Sequence, residues 1–235
     1  MQIEGSVALV TGSNRGIGRH YVEQLIERGA AKVYATSRNG RPIDVPGAVP
    51  LPLEITDPGS VSAVAEAAAD VTLLVNNAGV DFHVDVVAGD LATVRREMEV
   101  NYFGTLSVVR AFAPVLARNG GGAIVNVLSA LSWFSWPGEG AYAAAKAAAW
   151  SMTNSIRLEL AAQGTHVTGV HVGAVDTDFS AGYNGPKVDP ADVARATLDG
   201  LASDAPEVLV DKWSADIKAA LVRDPGDFYA QFSAA

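Results

Sequence analysis

The run Ser6-Val7-Ala8-Leu9-Val10-Thr11-Gly12-Ser13-Asn14-Arg15-Gly16-Ile17-Gly18 passes from an apolar segment into a periodic one through three glycines. Residues 6–11 are short, apolar and β-branched, as in a buried parallel strand, whereas Ile17, Tyr21, Leu25 and Arg28 recur at helical spacing up to Gly29. The glycines therefore form a strand-to-helix turn. Residues without a Cβ suit a turn where φ is unusual or where a pyrophosphate must approach the backbone, and free amides at a helix start favour an anion. The spacing is G-x-x-x-G-x-G, which departs from the G-x-G-x-x-G dinucleotide fingerprint.

Outward from this turn, strand and helix patterns alternate. Strands are expected at 31–36, at 48–53 despite Pro50 and Pro52, at 71–75 before Asn76-Asn77-Ala78-Gly79, at 122–127, at 166–172 and at 207–210. Helices are expected at 61–69 after Asp57-Pro58-Gly59-Ser60, as one long run from about 90 to 116, at 142–163 and at 190–202. Such alternation implies right-handed crossovers and a parallel sheet covered on both faces. The expectation is a single α/β domain over residues 1–235, doubly wound on seven parallel strands. Ligands in such sheets bind beyond the carboxyl ends of the strands, where Gly12, Arg38, Asn77, Ser129 and Gly173 all fall.

Composition narrows the classes. A chain of 235 residues with 49% hydrophobic and 18% charged residues can bury a large core. No uncharged apolar run reaches the roughly 18 residues of a membrane span, and no basic-then-apolar leader opens the chain. A soluble, cytoplasmic protein without a membrane partner is expected. The absence of cysteine excludes disulfides, thiolate metal sites and a thiol nucleophile, and no metal is implied. A net charge of −9 argues against nucleic acid, whose phosphates are held by Lys and Arg.

Tyr142 and Lys146 stand four apart on a helix, hence on one face. An ammonium beside a phenol favours phenolate, so the pair is expected to bring the phenol down from about 10 towards a working pH. With Thr11 to Gly18 as T-G-x-x-x-G-x-G, Asn76 to Gly79 as N-N-A-G, Asn101 in mid-helix, Ser129 after the fifth strand and Tyr142 to Lys146 as Y-x-x-x-K, the chain resembles the short-chain dehydrogenase/reductase family in its compact subtype. The likeness covers essentially the whole chain and implies a Rossmann fold. It also implies an oxidoreductase that moves a hydride between a nicotinamide cofactor and a small carbonyl or alcohol substrate. By that resemblance, Tyr142 exchanges a proton with the substrate oxygen and Ser129 hydrogen-bonds that oxygen, the thirteen-residue offset to Tyr142 favouring Ser129 over Ser132. Lys146 holds the ribose hydroxyls, and Asn101 anchors a water linking Lys146 to solvent.

Cofactor contacts are implied at Gly12, Ser13, Asn14, Arg15, Gly16, Ile17, Gly18, Ser37, Arg38, Glu54, Ile55, Asn77, Ala78, Gly79, Tyr142, Lys146, Val175 and Thr177. NAD-binding relatives carry an Asp at the end of the second strand, and this chain has Thr36-Ser37-Arg38 there, with Arg15 in the glycine turn. Two guanidiniums, each a planar donor fork, suit a 2′-phosphate, so NADP(H) is expected. Glu54 stands where relatives usually carry an Asp beside the adenine. The family's Pro-Gly after the sixth strand is Val172-Gly173 here, which frees an amide.

Trp133, Trp136, Phe179 and Tyr183 suggest an apolar pocket for a bulky or aromatic ketone or secondary alcohol, edged by Asp81 and His83. Gly182, Gly185 and Pro186 suggest an open, mobile lid over 178–189. The tail from 212 to 235 offers Trp213, Ile217, Leu221, Phe228 and Phe232 to a sheet edge or a neighbour's site. The resemblance implies a homodimer or homotetramer through the helices carrying Asn101 and Tyr142. Two other classes are conceivable. A nonenzymatic NADP-sensing regulator would gain nothing from an intact Ser-Tyr-Lys set, and an epimerase or dehydratase of the longer subtype would differ in glycine spacing and have a larger C-terminal region.

Overall fold

Every strand pairs in parallel with its neighbours in the computed structural model, which describes residues 1–230. The strands are β1 (Val7–Val10), β2 (Lys32–Ser37), β3 (Ala48–Pro52), β4 (Leu73–Asn76), β5 (Gly122–Val127), β6 (Thr165–His171) and β7 (Glu207–Leu209). Their order is β3-β2-β1-β4-β5-β6-β7, so the winding reverses between β1 and β4. That reversal opens a crevice at the carboxyl ends, the place where such sheets take ligands. β3 is an edge strand, which explains how it carries Pro50 and Pro52: the lost amides fall where the ladder can spare them.

The two-residue period of the strands sorts their side chains into two apolar layers. Ala8, Val10, Leu73, Val75 and Val125 pack beneath α1 (Gly16–Glu27) and α6 (Pro190–Ala202), with Tyr21, Leu25, Leu198 and Leu201. Leu9, Leu74 and Ile124 face the opposite side, against α2 (Pro58–Ala67), α4 (Thr105–Arg118) and α5 (Gly140–Glu159). The helices therefore cover both faces, as the alternating pattern requires.

Two expectations are corrected. The long helix expected over 90–116 is α3 (Leu91–Met98), a π-helical turn (Glu99–Gly104), and then α4. Buried Glu97, Asn101, Gly104, Val108, Phe112 and Val115 keep ordinary helical spacing through the widened turn, so periodicity does not reveal it. Taken whole, Leu91–Arg118 is long and apolar enough to cross a membrane by length and composition, although Arg110 interrupts its most apolar stretch, so no uncharged run of that length exists in it. Its apolar side at Val108, Phe112 and Leu116 is nevertheless spent on the core.

The tail is the second correction. It forms two helices, α7 (Lys212–Ala220), capped by Asp211 through the Ser214 amide, and α8 (Pro225–Ala230). Ile217 and Phe228 join Ala130 and Phe134 in a small apolar cluster, with Trp213 edge-on to Phe134 at 5.5 Å. The tail thus supports the turn after β5, while Leu221 stays exposed. Phe232 lies outside the described residues.

Candidate active site

The glycine turn is held open by its neighbours. Thr11 Oγ1 accepts the amides of Asn77 and Ala78, and Asn77 Nδ2 donates to the carbonyls of Thr11 and Gly12 at 3.0 Å. Gly12 and Gly16 have φ of +65° and +55°, a region that side chains disfavour. A Cβ on Gly18 would strike Gly12 O and stand 2.6 Å from Asn77 Nδ2. Arg15 ends the turn at the N-cap of α1, and no side chain caps the helix. The first-turn amides are therefore left for an external acceptor, and they fit the pyrophosphate of a dinucleotide.

Several residues expected to touch a cofactor turn their side chains to support instead. Buried Ser13 donates through Oγ to Val10 O and Thr36 O, and Ser37 Oγ donates to Arg41 O, closing the turn at 38–40. Ile17 and Ile55 pack into the two layers, and Val175 is buried beside Val172 and Val193. Arg38 Nε lies 4.0 Å from Glu54, whose Oε1 accepts Thr56 Oγ1, and Arg15 pairs with Asp178 at 2.9 Å. Both guanidiniums are more than half exposed, so these ion pairs are weak and exchangeable. Asn14 lies in the same turn, and a Cβ on Gly16 would meet Thr177 Cγ2 at 3.2 Å, which brings the turn against the start of the 178–189 segment.

Tyr142, Lys146 and Ser129 come together at the carboxyl ends of β4 and β5. All three are buried, Ser129 lies near enough to the Tyr142 phenol to favour its ionised form, and Lys146 Nζ lies 5.6 Å from the Tyr142 ring centre. Lys146 donates to Val127 O at 3.0 Å. Ser132, the alternative to Ser129, is committed to the local turn, where its Oγ accepts the Ser129 amide. The expected direction for the phenol is reversed. Burial, with Asp81, Glu97 and Glu139 nearby, pushes Tyr142 well above the ordinary phenol value, against the effect of Ser129. Burial also brings Lys146 down to about 8, against the pull of Glu97 and Asp81. In the protein alone desolvation outweighs the attraction that the sequence suggested.

Asn101 sits in the π-helical turn with its side chain fully engaged: Oδ1 accepts the Val80 amide, and Nδ2 donates to Val80 O, Glu97 O and Glu97 Oε1. Glu97 escaped the sequence reading because Arg95, Arg96 and Glu99 around it look like a solvated helix face. Asp81 and Glu139 bracket His83, with His83 Nδ1 2.7 Å from Glu139 Oε1 and 3.4 Å from Asp81 Oδ2. One possible ligand atom from each of the three lies within 4.8 Å of the others. The Glu139 hydrogen bond raises His83, while burial and Asp81 raise Glu139.

The expected substrate pocket is only partly assembled. Phe179 packs its ring 5.9 Å from that of Tyr142. Trp136 is 37% exposed, and Tyr183 folds over Gly185. Trp133 belongs elsewhere: its ring stacks on His171 at 3.9 Å and meets Trp150 edge-on, because the turn at Ala130–Ser132 directs it back towards β6. His171 is fully buried and its Nδ1 lies 3.0 Å from Ser129 O; a carbonyl only accepts, so that nitrogen carries the proton. Burial lowers His171 to about 4. Its folded value lies below the unfolded one near 6.5, so its share of stability is full above pH 6.5 and is lost as pH falls to about 4. That share is on the order of 3 kcal/mol. Melting temperatures followed from pH 7 to 4 should drop less steeply in His171→Asn than in the parent; parallel curves would remove His171 from the acid transition.

The family model described as short chain dehydrogenase matches residues 6–187. The 3-oxoacyl-(acyl-carrier-protein) reductase of Vibrio cholerae is 35% identical over 199 residues, covering 78% of this chain and 79% of the relative. A crystal structure of a short chain dehydrogenase from Burkholderia cenocepacia in complex with NADP is 42% identical, with 99% of each chain covered and a TM-score of 0.94. A 3-ketoacyl-(acyl-carrier-protein) reductase from Brucella melitensis complexed with NADH is 25% identical, covering 88% of this chain and 95% of that one, with a TM-score of 0.80.

Proposed function

The chain belongs to the short-chain dehydrogenase/reductase family, and from that membership we propose that it reduces a bulky or aromatic ketone or aldehyde with NADPH, or runs the reverse oxidation. The observation that carries the reading is a buried phenol with a serine at its hydroxyl and a buried ammonium one helical turn away. Gly12, Gly16, Gly18 and the uncapped start of α1 would hold the pyrophosphate, with Tyr142 and Lys146 at the ribose. When bound, the nicotinamide supplies or accepts the hydride.

This chain's own residues do the rest. Ser129 orients the carbonyl oxygen, Tyr142 donates the proton that the new alcohol needs, and Lys146 supplies positive charge beside the phenolate left behind. Phe179 covers the site from the 178–189 segment and excludes water. Asp81, Glu97 and Glu139 make the inner wall acidic, which disfavours a substrate with an anionic group next to its carbonyl. The test is NADPH oxidation, followed by absorbance, against aliphatic and aromatic ketones and a 3-oxoacyl thioester. Saturable turnover is expected with an aromatic ketone; a protein that binds NADPH yet reduces none of the panel points instead to cofactor sensing.

The preference for NADP(H) rests on Arg15 and Arg38, whose present partners, exposed Asp178 and partly buried Glu54, a dianionic phosphate would displace. Arg38→Ala should weaken NADPH binding about tenfold while leaving NADH unchanged, since a charge-assisted hydrogen bond contributes about 1.5–3 kcal/mol. An unaltered NADPH-to-NADH affinity ratio would refute that role. A cytoplasmic location and a homodimer or homotetramer belong to the same proposal, the exposed Phe103 and Leu158 supporting contact through the helices that carry Asn101 and Tyr142.

A further inference from the structure

A carboxylate gains nothing by entering a protein interior for packing alone, because leaving water penalises its charge. Glu97 is nevertheless 0% exposed, and no other Asp or Glu among the described residues is buried. It lies one helical turn before Asn101 on the same face. Its Oε1 accepts Asn101 Nδ2 at 2.9 Å and its Oε2 accepts the Phe82 amide at 3.0 Å. Asn101 in turn bonds both backbone groups of Val80, so the two side chains clamp the loop after β4. Between Asn101 and Lys146 that loop presents only Gly79, whose Cβ, if it had one, would lie 2.8 Å from Asn101 Oδ1 and 3.7 Å from Lys146 Nζ. The absence of a side chain at Gly79 lets Asn101 and the Lys146 ammonium close in on the same Cα, with no side chain of that residue standing between them.

Each reductive turnover removes a proton from this buried group, and Lys146 is itself buried against Val127 O. We propose that Glu97 is the internal proton store of the site, a positioning residue that re-protonates Lys146 by way of the close approach of Asn101 and Lys146 at Gly79 and is refilled from the surface along Asp81, Glu139 and His83. The inference rests on the oxidoreductase reading above. The Tyr142 O–H bond breaks as its proton passes to the substrate oxygen, and the phenolate is re-protonated at the expense of the Lys146 ammonium. The Glu97 carboxyl then gives its proton to the Lys146 amine and is left as carboxylate. No electrons change hands in this exchange. A solvent proton taken up at His83, which is 58% exposed and 2.7 Å from Glu139, restores the carboxyl.

The proton affinities suit the exchange. Burial holds Glu97 up at about 7, with Asp81 adding to the effect and the Phe82 amide, Asn101 and Lys146 opposing it, while Lys146 is brought down to about 8. The groups facing Glu97 are Asp81 and His83 from the loop after β4, and Tyr142 and Lys146 from α5.

The deciding experiment measures kcat against pH at saturating NADPH and ketone for the parent, Glu97→Gln and Glu97→Asp. Infrared difference spectra of each protein between pH 6 and 8 are taken without substrate. In the parent, ketone reduction should fall as pH rises through about 7, as the store empties, and a protonated carboxyl band present at pH 6 should fade by pH 8. Glu97→Gln should lose the Glu97 share of that band, Glu139 keeping the rest, and should lose the fall near 7, with kcat lowered about tenfold, less than the 10²–10⁴ of a direct acid. Glu97→Asp should restore both in part, and it decides by the same two readouts should the Gln variant not fold. An unchanged pH profile in folded Glu97→Gln, or no titrating band in the parent, overturns the inference and leaves the oxidoreductase reading standing. A parent protein inert with every carbonyl overturns that reading and this inference with it.

Discussion

Tyr142→Phe should lower kcat/KM for carbonyl reduction by about 10²–10⁴-fold, the usual share of a positioned general acid. The substitution removes one oxygen and keeps the ring that packs 5.9 Å from Phe179 and lies beneath Lys146. Melting temperature and NADPH affinity should therefore stay near the parent values while turnover collapses. Because burial, Asp81, Glu97 and Glu139 hold the phenol above its ordinary value, Tyr142 stays protonated in the protein alone throughout the neutral range. In the proposed reduction it therefore enters the reaction as the acid. Steady-state rates with and without the hydroxyl decide the matter; a Phe variant that retains even a tenth of the parent rate leaves Tyr142 without its role.

Gly18→Ala should weaken cofactor binding by about 10–100-fold, corresponding to about 1–3 kcal/mol of overpacking strain. The added methyl would wedge between Gly12 O and Asn77 Nδ2, two atoms now hydrogen-bonded to each other at 3.0 Å. Both belong to backbone or to a side chain pinned at two carbonyls, so neither can step aside cheaply. Gly182→Ala is the control, since a Cβ there meets nothing within 4 Å, and it should stay within about 0.5 kcal/mol of the parent. Titration of NADPH fluorescence, with melting curves alongside, measures both. Parent-like affinity in Gly18→Ala would mean that the clasp between the glycine turn and Asn77 does not shape the pocket.

The sequence carried the fold wherever one local rule acted unopposed. β5 and α6 run over residues 122–127 and 190–202, as the strand and helix patterns predict, and Tyr142 and Lys146 share a face because four residues make about one turn. Where two effects compete over a distance, the chain alone does not reveal the winner. The π-helical turn leaves the burial spacing of Glu97, Asn101 and Gly104 intact, so no periodicity betrays it. Trp133 stacks on His171, some forty positions away, rather than lining the pocket. The phenol moves up rather than down because the fold buries it, and because the carboxylates that add to the effect come from three separate segments, the loop after β4, α3 and the approach to α5. Glu97 hides for the same reason: a charged residue between Arg96 and Glu99 reads as surface until the fold closes over it.

The small cluster formed by Ala130, Phe134, Ile217 and Phe228 has a bearing on how the protein is made. A nascent chain that has reached only Val210 already contains every strand and every group at the reacting oxygen, yet it lacks the floor beneath the turn that bears Ser129. Synthesis runs from the N-terminus, so the sheet can assemble early while its chemistry waits for the last helices to leave the ribosome. Truncation after Val210 should therefore cost turnover at temperatures where circular dichroism still shows the sheet folded.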